Sequence, residues 1–245
     1  MIKIIKEILH KNKSLNFYSK FIDRGDLVID IGANIGNRVG PLLKIGARVV
    51  AVEPQIECCQ FLGKKFKNDN LRIIQKGVGS KNEMLPFFKG SANTLSTFSK
   101  NHDDMKKRFK DHEWKEAEEK IEIVTLDSII GEEARIPKFI KIDVEGFESE
   151  VLKGLNHKIP YISFEYNTPE CLENLQKCLD VMRSKEIYSN ALFNYSVGES
   201  MSLALDQWLS FDNFYSFVSK DNWKNNFIWS GFGDVYIKNQ VSDIA

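Results

Sequence analysis

Two groups of residues carry the types and spacing needed for chemistry. The first is Asp30-Ile-Gly-Ala-Asn-Ile-Gly36 followed by Glu53. Glycines at such a turn let the backbone approach a ligand with no side chain between. A carboxylate at Glu53 can accept both hydroxyls of a ribose, which suits NAD and S-adenosyl-L-methionine equally. Asp30 suits a cationic group such as an ammonium or sulfonium, because a buried acid without a partner is costly. The glycine spacing separates the two ligands. A dinucleotide fingerprint requires glycine at 32, 34 and 37, where this chain has Gly32, Asn34 and Asn37. The candidate contacts to an S-adenosyl-L-methionine cofactor are therefore Asp30, Gly32, Asn34, Gly36, Glu53 and Asp143.

The second group is Asp143, Glu145 and Glu165. Methyl transfer from a sulfonium is an in-line displacement that depends mainly on positioning. An alcohol acceptor must also lose a proton to a carboxylate or histidine within hydrogen-bond reach. Asp143 is the first candidate for that role, with Glu165 in support and Glu145 as a secondary choice. Plainer roles exist for some of them. Asp143 could cap a helix beginning near Glu145, and Glu145 and Glu148 could answer the dipole of its first turn. Asp143, Glu165 and Asn167 could hold magnesium, since oxygen ligands suit a hard cation. Their spacing differs from the adjacent Asp-Asn pair of catechol-type methyltransferases, so no metal ligand is assigned. His102 and His112 are alternative bases, and His157 is expected at the surface.

These residues need strands that end at one edge. Leu27 to Ile31 is a continuous apolar run, as in a buried parallel strand. Residues 35–44 have helical periodicity, 48–52 read as a strand, 55–67 as a helix and 71–75 as a strand. The alternation predicts a doubly wound sheet, which binds ligands at its carboxyl edge. Segments 84–89 and 121–125 read as paired extra strands. Between them, a polar loop (90–97) and a charged stretch (102–120) suggest a lid over an acceptor pocket or a solvated helix face. Alternation resumes with a strand at 138–142, a helix at 145–153, a strand at 159–166 and a helix at 170–185. In the aromatic tail only Val235 to Lys238 reads as a strand. Residues 1–26 read as a helical segment before one domain over 27–245. The Ile2, Ile5 and Leu9 stripe should dock on that domain or on a membrane or partner surface.

Composition narrows the acceptor. Among 245 residues, 34 Lys plus Arg balance 34 Asp plus Glu. That balance disfavours nucleic acid, whose partners usually carry a basic surplus. No apolar run approaches the roughly 20 residues of a membrane helix. Cys58, Cys59, Cys171 and Cys178 fit neither a zinc spacing nor a disulfide scaffold, and read as reduced packing thiols in a cytoplasm.

Three segments resemble the FkbM-type methyltransferase family. They are Val28-Ile-Asp-Ile-Gly-Ala-Asn-Ile-Gly36, Val124-Thr-Leu-Asp-Ser-Ile-Ile130, and Phe139-Ile-Lys-Ile-Asp-Val-Glu-Gly-Phe-Glu148 continuing to Val151-Leu-Lys-Gly154. The last is the most specific. The resemblance implies a Rossmann-like class I fold with a mostly parallel seven-stranded sheet and helices on both faces. It also implies S-adenosyl-L-methionine as donor and O-methylation of a sugar, glycan precursor or natural-product acceptor. Phe147 stands where the family often has a small residue. Asp-Val-Glu-Gly replaces the Asn-Pro-Pro-Tyr-like motif of base-methylating enzymes. Competing expectations are an NAD-linked oxidoreductase and a methyltransferase-like binding subunit without turnover.

Overall fold

The computed structural model describes residues 13–89, 96–98, 120–168, 172–219 and 231–239. The strands are β1 (Leu27–Ile31), β2 (Arg48–Val52), β3 (Leu71–Ile74), β4 (Gly77–Gly79), β5 (Glu83–Pro86), β6 (Lys120–Thr125), β7 (Phe139–Ile142), β8 (Tyr161–Thr168), β9 (Leu192–Tyr195), β10 (Leu209–Ser210) and β11 (Gly231–Lys238). The helices are α1 (Val39–Ile45), α2 (Ile56–Lys65), α3 (Leu126–Gly131), α4 (Glu148–Lys153), α5 (Leu172–Ser184) and α6 (Phe211–Ser219).

Continuous burial of β1 places it at the centre of the main sheet, with parallel β2 on one side and parallel β7 on the other. The order is β10-β9-β11-β8-β7-β1-β2-β3, with β11 antiparallel to both β8 and β9. Seven of these strands form the expected sheet, and the eighth is the two-residue β10 at its edge. The chain runs outward from β1 to β3, then restarts at β7 on the other side. That reversal opens a crevice at the carboxyl ends of β1 and β7, where open α/β sheets bind ligands.

Side chains alternate across the sheet, so each face has its own apolar cluster. Ile29, Ile31, Ile140, Ile142 and Phe164 pack with Leu152 and Leu179 on one side. Val28, Val49 and Phe139 pack with Val39, Leu42 and Tyr18 on the other. Residues 13–18 are helical and bring Phe17 and Tyr18 edge-on to Tyr236 and Phe139 respectively. A smaller sheet, β4-β6-β5, contains the expected pairing of β5 with β6.

Several expected boundaries move, each for a local reason. The helix expected from residue 35 begins at Val39, because Asn34 (φ 48°) and Gly36 (φ 78°) are left-handed and cannot enter a right-handed helix. The helix expected from 145 begins at Glu148, because Glu145 (φ 54°) and Gly146 (φ 92°) are also left-handed. β8 extends to Thr168, since β11 pairs with it over eight positions. β4, α3, β9, β10 and α6 have no counterpart in the sequence reading. The Met1–Lys13 stripe lies outside the described residues except for Lys13. Most of the proposed lid, including His102 and His112, also lies outside them, as does Cys171.

Candidate active site

The crevice contains a cavity of about 350 Å³. Asp30, Gly32, Asn34, Glu53, Asp143, Glu145 and Glu165 line it, so seven of the eight sequence candidates meet there. Gly36 does not line it. A Cβ at Gly36 would lie 2.5 Å from the Phe66 ring and 2.6 Å from Leu62, so packing on α2 accounts for this glycine. At Gly32 (φ 79°) a Cβ would come within 1.8 Å of the Asp143 carbonyl oxygen. The close approach of the β1 and β7 ends therefore demands glycine here, independently of any ligand.

Glu53, just past the end of β2, is buried at 3% exposure. Its Oε2 accepts the Asn34 backbone N–H at 2.9 Å, and its Oε1 accepts the Gln55 N–H at 2.9 Å. Gln55 Nε2 adds a donor to Oε1 at 3.2 Å. One carboxylate thus ties the left-handed Asn34 turn to the end of β2. Burial raises its pKa, and the Gln55 and Asn34 amides oppose the rise. Two carboxylate oxygens offer about four lone-pair sites, so an acceptor position remains for a ligand hydroxyl.

Asp30 is 2% exposed, and its Oδ2 has no hydrogen-bond partner among the described residues. Burial lifts its pKa to about 6; Lys141 lowers it and Asp143 raises it. An orphaned carboxylate oxygen at a cavity wall is costly until a donor arrives. The cationic ammonium of S-adenosyl-L-methionine is such a donor, so the residues present fit the cofactor.

Beyond Asp30 the charges face one another. The Lys141 ammonium, whose side chain is 3% exposed, donates to Asp143 Oδ2 at 2.7 Å and lies 3.8 Å from Asp234 Oδ1. Burial opposes the Lys141 charge, but Asp143 and Asp234 outweigh it and its pKa rises. Carboxylate oxygens of Asp143, Glu145 and Glu165 all lie within 4.8 Å of one another. Glu165 accepts Asn167 Nδ2 at 2.9 Å. Burial and then the neighbouring Asp143, Glu145 and Glu148 hold the Glu165 carboxyl well above the usual range.

Three local expectations need correction. Asp143 does not cap α4: Phe147 holds that position without a side-chain cap, and Asp143 turns to Lys141. Glu145 lies before the helix in a left-handed conformation that strains a non-glycine residue. Glu148 does more than answer a dipole. It is 1% exposed and accepts the Val144 and Gly146 N–H groups at 3.0 and 3.2 Å, and Asn174 Nδ2 at 2.6 Å. It thereby fixes the loop that presents Asp143 and Glu145. In the magnesium set considered from sequence, Asn167 is turned onto Glu165, and Glu145 joins the two acids instead.

Phe147 packs its ring 5.8 Å from Phe98 and close to Gly79, supporting one cavity wall from behind. His157 bonds Asp127 at 2.9 Å and does not line the cavity. Cys58, Cys59 and Cys178 are buried free thiols. Sequence reasoning missed Arg38, Lys141, Asp234 and Glu199. The available signal for Lys141 was a lysine between Ile140 and Ile142 in a wholly buried strand, a place that unpaired lysines avoid.

A family model described as the methyltransferase FkbM domain matches residues 30–189. A search of curated proteins finds no match. Similar solved structures include a TehB-like SAM-dependent methyltransferase from Corynebacterium glutamicum, with TM-score 0.46 and 9% identity over 93% of this chain and 88% of that one. An rRNA methylase from Streptococcus thermophilus gives 0.45 and 10% over 92% and 93%. The plantazolicin methyltransferase BpumL, solved with SAH, gives 0.44 and 10% over 96% and 84%. Among the described residues no helix is long and apolar enough to cross a membrane. The family match covers well over half of the chain, from Asp30 through both groups of acids. The chain belongs to the FkbM family of S-adenosylmethionine-dependent methyltransferases and has their Rossmann-like class I fold.

Proposed function

We propose that this methyltransferase methylates a hydroxyl oxygen of a sugar, glycan precursor or natural-product acceptor. The observation that carries this reading is the cluster of Asp143, Glu145 and Glu165, whose carboxylate oxygens lie within 4.8 Å of one another at the same cavity as Asp30 and Glu53, with the Glu165 carboxyl raised by burial and its neighbours. A raised carboxylate is a stronger base, and an alcohol must surrender a proton as its oxygen gains the methyl group. When bound, the cofactor supplies an electrophilic methyl on a sulfonium.

The chain's own groups divide the remaining work. Asp30 faces the ammonium, and Glu53 accepts from the ribose. Gly32 and Asn34 shape the turn between them. Glu165 takes the acceptor proton, held toward the site by Asn167. Asp143 is engaged by Lys141, so it orients the acceptor hydroxyl while Glu165 receives the proton. Glu145 forms the third wall of this subsite. The six acids lining the cavity (Asp30, Glu53, Asp143, Glu145, Glu165 and Glu199) exceed the three basic residues (Arg38, Lys76 and Lys141). That imbalance disfavours phosphate-rich nucleic acid. Free buried thiols support a reducing, cytoplasmic setting.

The test uses methyl-labelled S-adenosylmethionine with panels of polyhydroxylated compounds, amines and RNA. Label is expected in alkali-stable methyl ethers of hydroxylated acceptors. Label confined to amines or RNA contradicts the proposal.

A further inference from the structure

One charged pair at the cavity has no part in these roles. Arg38, immediately before α1, donates from Nη2 to Glu199 Oε2, and both residues line the cavity. Their exposures differ sharply. The Arg38 side chain is 12% exposed, whereas that of Glu199, on the segment after β9, is 48% exposed. The arginine therefore belongs to the floor of the site, while its partner reaches in from the surface. Nearby backbone is unusual: Gly198 and Met201 both have positive φ, 51° and 50°. Arg38 also sits close enough to Asp30 to favour its ionised form.

The floor thus presents an orphaned carboxylate oxygen at Asp30 and a guanidinium at Arg38 within electrostatic reach of each other. An α-amino acid carries the complementary pair, with an ammonium and a carboxylate on one carbon. A guanidinium matches a carboxylate with two parallel hydrogen bonds, a geometry that lysine lacks. Removing the partner of a buried cation is strongly unfavourable. An exchange of one carboxylate for another avoids that loss, and a half-exposed glutamate returns to water at little cost.

We propose that Arg38 anchors the carboxylate of the cofactor's amino-acid moiety, and that Glu199 occupies this seat until the cofactor arrives. The proposal rests on the cofactor assignment and extends it to the amino-acid end. A purely structural alternative makes the pair a strap holding the segment after β9 against α1.

Calorimetry with three probes separates the two. They are S-adenosylhomocysteine, its decarboxylated analogue, which keeps the amine, and 5′-methylthioadenosine, which lacks the amino-acid part altogether. Arg38→Gln is expected to weaken S-adenosylhomocysteine by about 10- to 100-fold, the size of lost charged hydrogen bonds. The other two probes should shift by less than about twofold, since neither carries a carboxylate. Glu199→Gln is expected to tighten S-adenosylhomocysteine severalfold, because its competitor is gone. If Arg38→Gln does not fold, Arg38→Lys keeps the charge without the fork and should show the same selectivity at smaller size. Equal weakening of all three probes, or unchanged S-adenosylhomocysteine affinity in a folded Arg38 variant, would overturn the anchor. Weaker S-adenosylhomocysteine binding in Glu199→Gln would overturn the seat-holding role. Failure of the wild type to bind S-adenosylhomocysteine would overturn the cofactor assignment itself, before any variant is made.

Discussion

The β1–β2 side of the cavity carries buried acids and the β7–β8 side half-buried ones, and the two treat charge in opposite ways. On the first side, Glu53 is held by backbone and amide donors from Asn34 and Gln55, with one acceptor position left for a ligand. On the second, Asp143, Glu145 and Glu165 face one another, with Lys141 donating to Asp143 and Asn167 to Glu165. Backbone donors do not move when a ligand arrives, so the first arrangement suits binding without reorganisation. Burial, and then the neighbouring acids, raise the Glu165 carboxyl, which suits the proposed role of a basic carboxylate on this side. In the proposed reading, a single cavity separates holding from reacting by how its acids are paired.

The largest expected effect falls on the reacting side. Glu165→Gln preserves shape but removes basicity, and should lower single-turnover methyl transfer by about 10²–10⁴-fold. Asp143→Asn should cost less under the proposed roles, in which Asp143 orients the acceptor while Glu165 takes the proton. An Asp143→Asn loss exceeding that of Glu165→Gln would exchange the two roles. Beneath them, Lys141→Met leaves Asp143 and Asp234 without their cation. It should destabilise the fold by about 3–5 kcal/mol, as expected for one member of a buried ion pair. Urea denaturation monitored by tryptophan fluorescence measures this, and a loss below about 1 kcal/mol would place the lysine in a solvent-screened setting.

Effects on the binding side should be smaller. Glu53→Gln should weaken S-adenosylhomocysteine by about 1.5–3 kcal/mol through loss of charged hydrogen bonds. The substitution also sets a side-chain amide against a backbone donor, so a modest fall in melting temperature should accompany it. Smallest is the response to pH. Asp30 has a pKa raised from 3.8 to about 6. Its contribution to stability is therefore present below the ordinary carboxylate range and is lost as pH rises through about 6. Ligand affinity runs the other way, since an ammonium needs the anion. S-Adenosylhomocysteine should bind more weakly as pH falls below about 6, by at most about tenfold per unit for one proton. A flat profile between pH 5 and 7 would separate Asp30 from the ammonium.

The contrast also explains what could be read from the sequence. The β1 run, the glycine turn and the acids at strand ends depend on local composition, and they converge at the cavity. The starts of α1 and α4 depend on left-handed Asn34 and Glu145. The neighbouring strands and Glu148 impose those conformations, and no propensity announces them. β9 and α6 are short, and the contacts of Phe193 with Phe211 and Phe214 that pack them together are tertiary, so a local pattern says little about them. Arg38, Lys141 and Asp234 were passed over because charged residues are usually exposed. The pairing of Lys141 on β7 with Asp234 on β11 appears only once the sheet order is known.

The division of the cavity is tested most directly by measuring two quantities in two variants. S-Adenosylhomocysteine dissociation constants and single-turnover rates at saturating cofactor are needed for Glu53→Gln and Glu165→Gln beside the wild type. A crossed result is predicted: Glu53→Gln weakens binding with a rate within about threefold of wild type, and Glu165→Gln binds normally but transfers about 10²–10⁴-fold more slowly. If both variants lose binding and rate in the same proportion, the two sides do not have separate tasks.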